Sequence, residues 1–206
     1  MIKILTLLML FLNLCYAGLI ADGLNAYEQG NKDKASTIWS KACNSGDMDG
    51  CFNLAIFYAN EKGVRQDKKK ASQLYSKICD NGDMDGCYNL GVLYSDGDGV
   101  KQDKKKASQL YAKACDGGLM NGCYNLGALY QDGEGIRQDK KKASQLYSKA
   151  CDGGHMSGCY NLGYLYYNGE GVRQEKKKAK KLFGKACDGG NNKGCKNYRI
   201  LNKMGI

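Results

Sequence analysis

Cysteine is the residue type in this sequence best placed to do chemistry, and its spacing is regular. Ten of the eleven cysteines form C-x7-C pairs, and each pair starts 36 residues after the one before it. Paired thiols can form disulfides, bind zinc or carry out redox chemistry. The pairs are Cys43/Cys51, Cys79/Cys87, Cys115/Cys123, Cys151/Cys159 and Cys187/Cys195.

The spacing favours structural disulfides over zinc. Zinc sites usually use C-x2-4-C spacing with four converging ligands, and the one histidine, His155, stands alone in a predicted exposed turn. On one continuous helix, residues eight apart lie about 12 Å apart, whereas a disulfide needs Cα atoms about 5.5 Å apart. Each pair must therefore enclose a turn, for example at Asp116-Gly117-Gly118. No metal site and no cofactor are predicted.

The elements that position these cysteines follow from the same period. A 36-residue repeat indicates a solenoid of helical hairpins. In three repeats a helix, called helix A, begins with C-Y-N-L-G-x-L-Y at Cys87, Cys123 or Cys159, and a glycine loop follows it. A second helix, helix B, then begins after Asp103, Asp139 or Glu175, and aspartate is the better N-cap. Ala107, Leu110 and their neighbours at helical spacing give helix B one buried face.

These motifs resemble Sel1-like repeats, in the form found in the Helicobacter cysteine-rich proteins. The resemblance covers roughly residues 20–200 and includes the run K-K-A-x-x-L-Y-x-K-A-C-D-x-G. It implies an all-α fold, a right-handed superhelical α-solenoid of disulfide-linked hairpins. Residues 18–43 look like a tetratricopeptide repeat and are predicted to form an N-terminal cap. Repeats of about 36 residues would fill 44–187, and 188–206 would form a C-terminal capping helix.

The first residues predict export. Lys3 precedes an apolar stretch, Ile4 to Leu14, which is too short to span a bilayer, so residues 1–17 are interpreted as a signal peptide cut near Ala17. A lipoprotein acylated at Cys15 is the alternative. Export agrees with paired cysteines, because disulfides persist in oxidising compartments. A secreted or periplasmic protein follows, without stable membrane insertion. It is predicted to be a monomer, and nucleic acid is a poor partner despite a net charge of +10.

A helical wheel of helix A predicts a ligand-binding surface, which the resemblance places on the concave side of the solenoid. Two outward positions vary between repeats while the rest of the motif hardly changes. They are occupied by Ile56, Val92, Ala128 and Tyr164, and by Ala59, Ser95, Gln131 and Tyr167. A fixed row of amides runs beside them: Asn53, Asn89, Asn125 and Asn161. Amides can pair with a peptide backbone, although they could equally bond within their own helices.

Two further sets of residues have open interpretations. The predicted ligand-binding residues include Tyr88, Tyr124 and Tyr160, which could instead pack between repeats. Lysine triplets open the B helices and oppose the helix dipole, so they do not serve helix stability. They form either a solvated face or a surface for an acidic partner. The triplets are Lys68–Lys70, Lys104–Lys106, Lys140–Lys142 and Lys176–Lys178, the last extended by Lys180 and Lys181.

Two functions from different classes remain. The surface residues favour a scaffold that binds a peptide or protein partner, with peptidoglycan fragments or β-lactams as further ligands. The family resemblance implies instead a penicillin-binding protein with slow β-lactamase activity. However, S-x-x-K, S-D-N and K-T-G are all missing from the sequence. The catalytic residue of such a hydrolase is therefore unknown.

Overall fold

The computed structural model describes residues 18–60 and 67–206, and its regular elements are all helices. The predicted signal peptide and Cys15 lie outside the described residues. The predicted all-α fold is confirmed. Helix α1 covers 18–28. It is followed by α2 (Lys32–Asn44), α3 (Met48–Asn60), α4 (Lys68–Asp80), α5 (Met84–Asp96), α6 (Lys104–Asp116), α7 (Met120–Asp132), α8 (Lys140–Asp152), α9 (Met156–Asn168), α10 (Lys176–Asp188) and α11 (Asn192–Lys203).

The even-numbered helices from α2 are the B helices and the odd-numbered ones from α3 are the A helices. Three B helices begin with the predicted aspartate cap. For example, the side chain of Asp103 accepts a hydrogen bond from the backbone N–H of Lys106 at 2.9 Å. Asp67 and Asp139 cap α4 and α8 in the same way, whereas Glu175 makes no such bond at α10. A glutamate side chain is one methylene longer than the best cap allows.

Disulfides join the end of a B helix to the start of the next A helix. Only residues 117–119 separate α6 from α7, so the predicted turn lies inside the C-x7-C pair. The Cα atoms are 4.4 to 4.6 Å apart in the pairs Cys43–Cys51, Cys115–Cys123, Cys151–Cys159 and Cys187–Cys195. Cys79 and Cys87 are also disulfide-bonded.

A glycine near the start of each A helix lets the two helices of a hairpin approach closely. A Cβ at Gly122 would lie 2.8 Å from the Ala114 Cβ and 2.9 Å from two backbone atoms, the nitrogen of Cys115 and the oxygen of Tyr111. Gly158 and Gly194 stand in equivalent contacts. The short disulfide and this backbone contact therefore fix the same helix crossing.

The described residues form two compact units. The first ends at Gly86 and includes Asp98–Val100, and the second comprises Cys87–Gly97 and Lys101–Ile206. In the first unit Trp39 packs with Leu54 and Phe57, and its ring centroid lies 6.2 Å from that of Phe57. The proposed division into cap, repeats and capping helix stays a prediction.

The second unit repeats one core layer. Ala107, Tyr111, Leu126 and Leu129 form a buried cluster, and Ala143, Tyr147, Leu162 and Leu165 form the equivalent cluster 36 residues later. A glycine on α5, α7 and α9 admits the aromatic ring of the following B helix. A Cβ at Gly127 would lie 2.9 Å from Cδ1 of Tyr147, and Gly91 and Gly163 make matching contacts. Helix α11 carries Arg199 at this position.

The loop after each A helix has a fixed conformation. Gly133 ends α7 with φ 75°, a left-handed conformation that favours glycine. The side-chain amide of Gln138 then donates to the backbone oxygen of Gln131 at 2.8 Å. Gln102 and Gln174 make the same bond in the neighbouring repeats. These contacts explain the glutamine of the loop motif and hold the capping aspartate in place.

Candidate functional site

The predicted ligand-binding residues of the second unit divide into packed and outward-facing positions. Val92 is half-buried and packs against the core cluster around Tyr111, although the wheel predicted it to face outward. Tyr164 is 43% exposed, and Ala128, Gln131 and Tyr167 are half-buried. We define the helix A surface as the outward positions of α7, α9 and α11, namely Asn125, Ala128, Gln131, Asn161, Tyr164, Tyr167, Asn197 and Ile200. Asn53 belongs to the first unit, where its amide donates to the backbone oxygen of Asp49 at 2.9 Å.

The three motif tyrosines pack against aromatic residues of the B helices. The ring centroid of Tyr88 lies 5.9 Å from that of Tyr111, and the Tyr124 ring lies 5.8 Å from the Tyr147 ring. Tyr160 packs on Phe183 in the same way at 5.7 Å. Tilted aromatic pairs at this separation are stabilising. These tyrosines therefore pack between helix A and helix B of one repeat, and they are half-buried rather than outward-facing.

Two asparagines of the predicted row, Asn125 and Asn161, interact with tyrosine hydroxyls. The side chain of Asn125 hydrogen-bonds with the hydroxyl of Tyr111, which also bonds with the side chain of Ser95. Burial raises the pKa of Tyr111 to about 12, and the two hydrogen bonds act in the opposite direction. Asn161 bonds with Tyr147 in the next repeat, where burial again raises the tyrosine pKa. Both asparagines therefore interact with a tyrosine of the preceding B helix.

The last repeat departs from this pattern. Phe183 of α10 stands where the preceding B helices carry Tyr111 and Tyr147, so the equivalent hydroxyl beside Asn197 is missing. A pocket of about 190 Å³ lies there, between α9, α10 and α11. We call it the aromatic pocket; it is lined by Tyr164, Tyr167, Asn168, Phe183, Asn197, Ile200 and Leu201. Of the predicted ligand-binding residues, the pocket brings together Tyr164 and Tyr167 of α9.

Sequence reasoning missed this pocket. A comparison of repeats at 36-residue steps shows the signal, because phenylalanine replaces tyrosine at position 183. The same comparison places Ile200 where Ala128 and Tyr164 stand. The missing hydroxyl of Phe183 leaves space at the base of the pocket, and Ile200 makes one side of the pocket apolar.

The lysine triplets are more than a solvated face. The first lysine of a triplet pairs with an acidic residue in the glycine loop 30 residues later: Lys68 with Asp98, Lys104 with Glu134, and Lys140 with Glu170. The Lys140 Nζ to Glu170 Oε2 distance is 2.8 Å. Since surface ion pairs contribute at most about 1 kcal/mol each, these pairs hold loops in place more than they stabilise the fold.

The third lysine of a triplet contacts a helix A tyrosine. The Nζ of Lys106 donates to the hydroxyl of Tyr94 at 2.7 Å and lies 4.1 Å from the ring centroid. Lys178 contacts Tyr166 with the same geometry, and this hydrogen bond raises the pKa of Lys178. The middle lysines, Lys105, Lys141 and Lys177, are exposed. Of the three positions in a triplet, only the middle one therefore matches the predicted solvated face.

His155 is not the exposed turn residue that the sequence predicted. It is half-buried and caps α9, since its Nδ1 accepts a hydrogen bond from the backbone N–H of Gly158 at 3.2 Å. Its ring stacks on that of Tyr124 with centroids 4.4 Å apart. Burial lowers the pKa of His155. The neutral ring is the form that can accept the capping hydrogen bond.

This cap predicts a pH dependence of stability. Because the folded-state pKa of His155 lies below the unfolded value of 6.5, its contribution is fully present above pH 6.5 and is lost as the pH falls below that value. We expect the free energy of unfolding, measured with urea, to fall between about pH 8 and about pH 5. His155→Asn is the matched control, because Asn191 caps α11 from the same position by accepting from Gly194 at 2.9 Å. An equal fall in the variant would contradict this role of His155.

Within residues 18–60 and 67–206, no group of three or more His, Cys, Asp or Glu side chains could hold a metal ion. The ten cysteines of the repeat motif are all disulfide-bonded. In the same described part of the chain, no helix is both long and apolar enough to cross a membrane.

Comparison with known proteins gives matches along most of the chain. The model of the family described as Sel1 repeat matches residues 49–83, 85–119, 121–155 and 157–191. HcpE of Helicobacter pylori strain J99, which is named as a candidate β-lactamase, is 47% identical over 45 residues. That match covers 22% of this chain and 13% of HcpE.

Two solved structures extend the comparison. The structure of c5321, described as a protective antigen of uropathogenic Escherichia coli with an SLR fold, matches with a TM-score of 0.86 and 30% identity. The match covers 93% of this chain and 42% of c5321. H. pylori cysteine-rich protein B matches with a TM-score of 0.51 and 39% identity, over 65% of this chain and 98% of its own. This chain thus spans less than half the length of HcpE and of c5321.

Proposed function

Since this chain belongs to the Sel1 repeat family, we propose that it is an exported scaffold whose helix A surface binds a peptide segment of a partner protein. The disulfides support export, because they form and persist in oxidising compartments such as the periplasm or the extracellular space. A monomer that presents this surface is sufficient for the proposed function. Short peptide stems of peptidoglycan are chemically related ligands.

The contrast between fixed and variable positions on the A helices carries the proposal. The fixed positions make contacts within the fold: Asn125 interacts with Tyr111, and Gly127 leaves room for the ring of Tyr147. The variable positions include the well-exposed side chains of Tyr164 and Ile200, at 43% and 40%. Large apolar side chains kept at the surface indicate an interaction site.

A displayed random peptide library selected on the oxidised protein tests this proposal. We expect selected peptides to lose about tenfold or more in affinity for the double variant Gln131→Ala, Tyr164→Ala, because truncation of interface residues commonly costs this much. Lys141→Ala is the matched control, since Lys141 is exposed on a B helix. Failure to select any peptide would contradict the proposal. Peptides sensitive only to Lys141→Ala would also contradict it and would assign binding to the basic face.

The name of HcpE suggests a hydrolase as the second function. The aromatic pocket, at about 190 Å³, is smaller than the 300–1,000 Å³ typical of small-molecule sites. Turnover of a chromogenic β-lactam by the oxidised protein, with the intact mass measured on the same sample, separates the two functions. Many turnovers per molecule and a transient adduct would contradict a scaffold role, and the adduct would identify the nucleophile.

A further inference from the structure

Three departures from the repeat pattern coincide at the aromatic pocket. The first is the missing hydroxyl. In the two preceding repeats, Asn125 bonds with Tyr111 and Asn161 bonds with Tyr147. Phe183 offers no such hydroxyl to the amide of Asn197, which lines the pocket together with Asn168. An amide offers both donors and an acceptor, which suits a peptide backbone.

The second departure is the size and lining of the pocket. A benzene molecule fills an apolar cavity of about 150 Å³ in another protein, and the aromatic pocket has about 190 Å³. Two tyrosine rings and the Phe183 ring surround this space. Aromatic rings pair favourably in tilted or offset arrangements. One aromatic side chain therefore matches the pocket in volume and in chemistry, whereas a drug-sized molecule would not fit.

The third departure is a lysine without its usual partner. Lys104 and Lys140 each pair with a glutamate 30 residues later, but the residue 30 positions after Lys176 is Ile206. The Nζ of Lys176 lies 5.7 Å from the ring centroid of Tyr167, which lines the pocket. A cation therefore lies beside one of the pocket's tyrosines, at a helix position where the two preceding repeats have an ion pair with a glutamate.

We propose that the aromatic pocket is the anchor site of the peptide-binding surface and takes a phenylalanine or tyrosine side chain that is flanked by an acidic residue. The ring occupies the space above Phe183, the amide of Asn197 pairs with the backbone beside it, and the carboxylate pairs with Lys176. This inference rests on the proposed function, and it adds the class of ligand and the residues that select it.

A titration of the oxidised, isotope-labelled protein by NMR tests the anchor site with defined probes. Acetyl-aspartyl-phenylalanine amide is expected to bind about tenfold or more tightly than its alanine analogue, because only the former buries a ring. The asparaginyl analogue is expected to bind about two- to fivefold more weakly than the aspartyl probe. Lys176→Gln should remove that last difference.

Phe183→Tyr is the decisive variant. The substitution restores the residue type found at Tyr111 and Tyr147, so we expect the variant to fold normally. The new hydroxyl should bond with Asn197, and the affinity for the phenylalanine probe should fall about fivefold or more. Tyr147→Phe is the matched control. It removes the same hydroxyl one repeat earlier, where Ala128 and Gln131 stand in place of the pocket's Tyr164 and Tyr167. We expect this variant to bind the probe with unchanged affinity.

Equal affinities of the phenylalanine and alanine probes, or an unchanged affinity in Phe183→Tyr, would overturn the anchor site. Library peptides that need Gln131 and Tyr164 but carry no aromatic residue would overturn it too, and would leave the proposed function standing. Absence of binding both to the library and to the probes would contradict both proposals.

Discussion

Replacing Cys115 and Cys123 together by alanine is expected to lower the free energy of unfolding by about 2–3 kcal/mol under oxidising conditions. The bond closes a short loop, with a sequence separation of 8, and the chain-entropy model assigns that loop this stabilisation. Both residues are replaced so that no free thiol can form a wrong disulfide. Urea unfolding of the two proteins measures the difference.

A second pair separates the entropic contribution from packing. Cys187 and Cys195 close a loop of the same length but are half-buried, whereas Cys115 and Cys123 are 1% and 0% exposed. Equal losses for the two double variants would support the entropic account. A larger loss at Cys115 and Cys123 would add the cost of an apolar cavity. If the difference from the parent protein persisted after reduction, the bond would not be its cause.

Gly122→Ala is expected to destabilise the protein by up to about 2 kcal/mol. A Cβ there would lie 2.9 Å from the backbone oxygen of Tyr111, and backbone cannot move aside as a side chain can. The forced separation of the helices costs about 1–3 kcal/mol. The better helix propensity of alanine offsets about 1 kcal/mol of it. Urea unfolding under oxidising conditions measures the net effect.

Gly184→Ala is the matched control for that substitution. Gly184 also lies inside a helix, but an added Cβ would meet only the edge of the Tyr198 ring at 3.3 Å. The equivalent position two repeats earlier already carries Ala112. We expect this variant to be unchanged or slightly more stable. If Gly122→Ala behaved the same way, close helix approach would not explain the glycine.

The fold could be predicted from the sequence because the turn and the helix start of each hairpin are marked by short local motifs. The C-x7-C spacing requires a turn, and Asp103 and its equivalents mark where the B helices begin. The lysine contacts could not be predicted in this way. Lys104 meets Glu134 across 30 residues of sequence, and only the folded array shows that the first residue of a B helix lies beside the next glycine loop.

The candidate site was predicted in part. The comparison of repeats placed Tyr164 and Tyr167 on the predicted ligand-binding surface, and the structure shows that both line the aromatic pocket. The wheel placed Tyr88 and Val92 outward because it considers one helix alone, whereas both pack beside Tyr111 of the following B helix. His155 was misplaced for the same reason, since its stacking partner Tyr124 lies in the preceding repeat.

Arg199 has a consequence for self-assembly. Each repeat stacks on the next through the same contacts, so a hairpin from another copy could in principle stack on an uncovered A helix. Repeated stacking of this kind would form a fibre. Each added hairpin would need to insert an aromatic ring against the A helix, where a Cβ at Gly127 would already lie 2.9 Å from the Tyr147 ring. Arg199 occupies that place on α11 with a long, charged side chain. A hairpin stacked on α11 in the manner of the internal hairpins would therefore have to displace the Arg199 side chain.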